Sequence, residues 1–195
     1  MSPILLLLGL AAAPETAVRV VVETERGALE IELDLGRAPA TARNFLRYVD
    51  AGRYDGGSFF RTVRPDNQRE AKVPIAVIQG GVPEAREPDD FPPIALERTR
   101  DTGLRHEDGA VSMARSGPDT ATSSFFVCVG DQPELDFAGR RNPDGQGFAA
   151  FGRVVRGMDV VRAIHLAPAE GERLAPPVRI LRAARSAPAY RPSPE

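Results

Sequence analysis

The sequence predicts a mainly β protein, an antiparallel barrel capped by helices, and three features carry that prediction. Short β-rich runs recur along the chain, separated by loops rich in Gly, Pro, Asp and Arg. Only two segments show helical spacing. One early segment alternates between apolar and acidic residues. Many short strands with few helices suit a sheet that closes on itself better than alternating βα layers. At 195 residues the chain fits one domain with a sizeable core.

The elements follow in order. Val18–Thr24 is a β-branched run that reads as a strand. Glu25-Arg26-Gly27 is a turn, and Leu29, Ile31, Leu33 and Leu35 then alternate with Glu30, Glu32 and Asp34. That period of two predicts a half-buried strand with its acids in water, so the two runs form a hairpin. A helix begins near Pro39, carries Ala42, Phe45, Leu46 and Val49 on one stripe, and closes at Gly52. Strand-like runs follow at 58–63, 75–79, 110–114, 124–129 and 149–155. Met158 to His165 reads as a second helix and Val178 to Leu181 as a closing strand.

The ends read differently. Ile4 to Leu10 followed by three alanines resembles a signal-peptide core over residues 1–13, too short to span a membrane. It predicts a periplasmic or secreted protein; read as a strand or a misassigned start, it leaves a cytoplasmic one. The folded domain is expected over residues 18–184, with a Pro-rich disordered tail over 185–195. No internal repeat or second domain is seen.

Composition excludes several functions. The formal charge is −2 with no basic cluster, so no nucleic-acid footprint is expected. The single cysteine, Cys128, rules out an internal disulfide, and within Phe125–Val129 it reads as a small buried hydrophobe. His106 and His165 lie far apart without an acidic ligand pattern, so no metal and no cofactor are expected.

The informative segments are Ser58-Phe59-Phe60-Arg61, Ile78-Gln79-Gly80-Gly81, Ser112-Met113-Ala114-Arg115 and Ser124-Phe125-Phe126. They supply an arginine, a glutamine and aromatics, with no nucleophile–base pair adjacent in sequence and no phosphate loop. Such a site can grip a peptide and lend it a positive hydrogen-bond donor, but has little means of breaking a bond. Rotation is the chemistry it suits. Phe125 and Phe126 are neighbours, so a strand turns them to opposite faces and one of them is core.

With Thr41–Phe45, Tyr54–Arg61, Gly109–Arg115, Ser123–Phe126 and Phe151–Val154, these segments in this order resemble the cyclophilins, the peptidyl-prolyl isomerases, and especially their bacterial members. The resemblance runs from about Val18 to Leu181. It implies an eight-stranded antiparallel barrel closed by two helices, acting on proline-containing polypeptides as a monomer during protein folding. By resemblance Arg61 is the catalytic arginine. Phe126, Leu135 and Phe148 line the proline pocket, and Gln79 contacts the substrate carbonyl or steadies Arg61. The backbone around Ala114 and Arg115 pairs with the bound peptide as an added strand does.

The chain departs from the family at several of these places. The link from Arg61 to Gln79 is about ten residues longer than usual and ends in Ala76-Val77-Ile78-Gln79. Ala76 thus replaces a pocket aromatic and Val77 a methionine. Ser124 replaces a substrate-contacting glutamine, Arg115 an asparagine and Glu134 a tryptophan. A module that binds proline-containing segments with weak or absent catalysis is the alternative these changes suggest.

Overall fold

Alternating apolar residues give the hairpin its two faces. In the structure, a computed structural model that describes residues 18–68 and 71–186, β1 (Val18–Thr24) and β2 (Gly27–Leu33) pair antiparallel from Val18↔Leu33 to Thr24↔Gly27. Leu29, Ile31 and Leu33 enter the core. Glu32 accepts from Arg19 Nη2 at 2.8 Å. Glu30, expected in water, is buried between Arg19 and Arg156.

Helix α1 (Pro39–Asp50) starts at its proline and buries Ala42, Phe45, Leu46 and Val49. Its first free amides are satisfied from far away: Ala40 N and Thr41 N donate to the Glu97 carboxylate at 3.0 and 2.8 Å. A carboxylate there also complements the positive end of the helix dipole. Phe45 gathers the core aromatics, with ring centroids of Tyr54, Phe125 and Phe151 at 5.2–5.3 Å.

The remaining strands are β3 (Ser58–Val63), β4 (Val77–Gly81), β5 (Ala110–Met113), β6 (Phe125–Cys128), β7 (Ala149–Arg156), β8 (Ala169–Glu170) and β9 (Arg173–Arg185). Hydrogen bonding runs β1-β2-β7-β5-β6-β4-β3-β9, and β9 returns to β1, so eight antiparallel strands close the barrel. The two-residue β8 is an appendage on β9. Closure pairs the strand edges. Helix α3 (Met158–His165) caps the barrel together with α1. A single further turn, α2 (Thr99–Thr102), ends at Gly103, whose φ is 70°.

Several strands differ from their expected bounds by a residue at an end, and two larger differences have a visible cause. β4 begins at Val77 because the side chain of Gln68 takes both Ile75 O, at 2.6 Å, and Ile75 N, at 3.2 Å, drawing Ile75 into the loop. β9 is far longer than 178–181. Its Pro176 and Pro177 fall where pairing with β3 jumps from Phe59↔Val178 to Arg61↔Arg173, so no ladder N–H is required of them. Beyond its end, Ser186 N still donates to Arg19 O at 2.8 Å. Arg185, expected to open the disordered tail 185–195, instead ends β9 and pairs with Val20, while the leader at 1–13 and residues 187–195 lie outside the described residues.

Candidate active site

Strand alternation produces two apolar clusters. Phe59, Ile78, Val111, Phe125 and Val127 turn into the main core. The intervening residues Val63, Val77, Ala110, Phe126 and Cys128 turn to the other side of the same strands and join Ile75 and Leu135 in a second cluster. Phe126 is therefore the outward member of the aromatic pair.

Register then aligns the polar groups. Arg61 faces Gln79 across β3 and β4, Gln79 faces Phe126 across β4 and β6, and Phe126 faces Ser112 across β6 and β5. Directly paired residues of antiparallel strands share a face, so Arg61, Gln79, Phe126 and Ser112 form one row across four strands. Gly80 lets β3 and β4 approach: a Cβ there would meet the Phe59 ring and Ser58 O at 2.9 Å each.

The guanidinium of Arg61 is held on two sides. Nη1 donates to Gln79 Oε1 at 2.8 Å. Nε and Nη2 both donate to Glu172 Oε2, at 2.8 and 2.5 Å. Of the five N–H bonds of a guanidinium, these three are used among the described residues, which leaves one on Nη1 and one on Nη2.

Around Phe126 the pocket residues are tied to one another. Phe148 meets it edge-on at 5.3 Å, and Phe148 N donates to Leu135 O at 2.9 Å. Val77 belongs to the cluster, and Ala114 packs against it. The Ala114 amide donates to Ser124 O at 2.9 Å, and the Ser124 hydroxyl lies beside Gly81, 3.0 Å from where a Cβ there would sit. The side chain of Arg115 points instead into the loop before Phe148. It donates to both Asp144 oxygens at 2.7 and 2.9 Å and to Gly147 O at 2.8 Å, with its guanidinium carbon 5.1 Å from the Phe148 ring centroid. Its side chain is 2% exposed, so it acts as a brace for the pocket aromatic.

The longer link contributes a residue to the pocket and is pinned there by polar side chains. Ile75 is buried in the pocket cluster, Gln68 fixes its backbone, and Arg141 Nη1 ties Gln68 Oε1 and Val73 O together at 3.1 and 2.9 Å. Burial, and then the neighbouring Arg61 cation, push the Arg141 guanidinium below its usual range, while the Glu172 carboxylate acts the other way. Sequence reasoning did not single out Ile75, Arg141 or Glu172. Glu172 carries no local signal, since its contact joins positions 111 residues apart.

The fold does place a histidine beside Ser112. His106 Nε2 lies 3.0 Å from Ser112 Oγ, and His106 Nδ1 lies 2.7 Å from Asp136 Oδ1. This array resembles a hydrolytic triad in connectivity only. Ser112 is 0% and His106 1% exposed, with the imidazole stacked on Phe126 at 5.9 Å, so no substrate carbonyl reaches the hydroxyl. It supports the pocket from beneath. Cys128 is equally inert: burial pushes its thiol well up.

A family model described as cyclophilin type peptidyl-prolyl cis-trans isomerase/CLD matches residues 19–185. A peptidyl-prolyl cis-trans isomerase of Streptomyces antibioticus, cyp18, is 38% identical over 148 residues, covering 74% of this chain and 81% of that protein. Peptidyl-prolyl cis-trans isomerase A of Dickeya dadantii is also 38% identical, over 79% of this chain and 74% of that one. A crystal structure of a Cryptosporidium parvum cyclophilin superimposes with a TM-score of 0.71 at 20% identity, covering 88% of this chain and 98% of the other. The barrel, the aligned row and these relatives agree, and the chain belongs to the cyclophilin-type peptidyl-prolyl cis-trans isomerase family.

Proposed function

We propose that this site catalyses cis–trans rotation about X–Pro bonds, with Arg61 as the donor that favours the transition state. Amide resonance gives the C–N bond partial double-bond character and a barrier of about 18–20 kcal/mol. In X–Pro bonds both isomers are populated and exchange slowly, so a catalyst has both a substrate and a reason to act. Rotation breaks the resonance and localises a lone pair on the prolyl nitrogen. A guanidinium N–H aimed at that nitrogen binds the twisted form better than the planar one, which is differential binding of the transition state.

One charge-assisted hydrogen bond contributes roughly 1.5–3 kcal/mol, or about ten- to a hundred-fold in rate. Anchoring the proline ring against Phe126, Leu135 and Phe148 while the preceding carbonyl swings supplies the remainder. The observation that carries this reading is the row Arg61–Gln79–Phe126, which puts the donor two strands from the pocket floor with two N–H bonds unused. Exchange NMR on Ala-Pro and Phe-Pro peptides tests it. Faster exchange with the protein present is expected. Shift changes without faster exchange would leave a module that only binds.

The wider role proposed is assistance to the folding of exported proteins by a monomeric, periplasmic or secreted chain. The apolar run 4–10 supports export, and the closed barrel, whose strand edges are paired, supports a monomer. Among the described residues no helix is long and apolar enough to cross a membrane. Cell fractionation with N-terminal sequencing of the purified protein tests export; an intact Met1 in the cytoplasm would contradict it.

A further inference from the structure

Of the two holds on Arg61, the one by Glu172 is independent of the proline pocket. Glu172 lies in the turn between β8 and β9, where Glu170 pairs with Arg173. Its own carbonyl accepts from Thr62 N at 2.9 Å, and the next residue, Arg173, faces Arg61 across β3 and β9. The carboxylate thus leaves a backbone that is tied to the very strand carrying Arg61. It takes Nε and Nη2, while Gln79 takes Nη1.

We propose that Glu172 is a positioning residue for the isomerase reaction: it fixes the plane of the Arg61 guanidinium before the peptide arrives, leaving one N–H on Nη1 and one on Nη2 for the substrate. The inference rests on the function proposed above. An arginine side chain has much rotamer freedom to lose, and a partner that removes it in advance lowers the cost of ordering it in the transition state. Arg141 feels the charge of both Arg61 and Glu172, so the carboxylate offsets repulsion between the two guanidinium groups.

One effect opposes this. A carboxylate beside the donor also disfavours the electron-rich nitrogen of the transition state. The side chains of Arg61 and Glu172 are 35% and 31% exposed, so water and salt screen that penalty. Positioning outweighs it, and removal of Glu172 slows the reaction.

The test compares Glu172→Ala and Glu172→Gln in the full chain, each with and without Arg61→Ala. Glu172→Ala is expected to lower kcat about fivefold with KM nearly unchanged, and Glu172→Gln, which keeps one acceptor, to recover part of that loss. In the Arg61→Ala background Glu172→Ala is expected to change nothing further. In parallel, the 15N signal of Arg61 Nε reports rigidity in the unsubstituted protein and mobility in Glu172→Ala. An unchanged kcat, or an equal loss in the Arg61→Ala background, overturns the proposal, the latter by showing a purely structural role. Should the unsubstituted protein bind peptide without accelerating exchange, the proposed function fails; the Nε signal then decides the positioning separately, and equal rigidity without Glu172 overturns it.

Discussion

Arg61 Nη1 donates to Gln79 Oε1 at 2.8 Å, between residues that face each other across β3 and β4. Strand register brings the two side chains to the same face. Gln79→Ala is expected to lower kcat/KM about fivefold, the value of one lost hydrogen bond of about 1 kcal/mol, while leaving the fold intact. Steady-state kinetics beside circular dichroism checks it; unchanged kinetics would mean that Gln79 does not steady the donor.

Ile75 comes from the longer link and is buried in the pocket cluster. Ile75→Ala opens a cavity in the cluster that contains Phe126 and Leu135. The expected cost is about 2–4 kcal/mol of stability, with weaker binding of proline peptides. Urea denaturation and a peptide titration measure the two effects. A large stability loss with unchanged affinity would place Ile75 in the scaffold and outside the pocket.

Arg115 braces Phe148 through Asp144 and Gly147. Arg115→Ala leaves Gly147 O without its side-chain donor and Asp144 with only the Gln146 amide, and it uncovers the ring. A cost of about 1–3 kcal/mol is expected, together with a several-fold rise in KM and little change in kcat. A fall in kcat at constant KM would contradict this division of labour.

His165 gives the stability a pH dependence. Burial, the largest influence, lowers its affinity for a proton below that of an ordinary histidine near 6.5, and Nε2 lies 3.0 Å from Val63 O. Unfolded, the ring takes a proton near 6.5; folded, it resists until lower pH. The stability it contributes is therefore present above 6.5 and is lost as pH falls through 6.5 toward the folded value. Urea midpoints at pH 7 and pH 5 are expected to differ less in His165→Gln than in the unsubstituted protein. An equal difference would assign the effect elsewhere.

Much of this was legible in the residues. Ser58–Val63 and Met158–His165 stand within the bounds their patterns predict, since β-branched alternation and a 3.6-residue stripe are local signals. The opposite facing of Phe125 and Phe126 follows from period two alone. β9 was hidden because two prolines and several arginines interrupt it, and only pairing with both β3 and β1 holds it extended. Glu172 and the Ser112–His106–Asp136 array were hidden for a related reason. Their contacts are set by barrel closure and loop packing, which no short window of sequence records.

The central claim is that Arg61 acts on the twisted bond and not on the bound peptide. Exchange NMR of an Ala-Pro peptide with the unsubstituted protein and Arg61→Ala, at matched saturation, addresses it most directly. The expected result is peptide affinity kept within about threefold and catalysed exchange reduced about ten- to a hundred-fold. Equal exchange rates in the two proteins, or a loss of binding that accounts for the whole loss of rate, would contradict it.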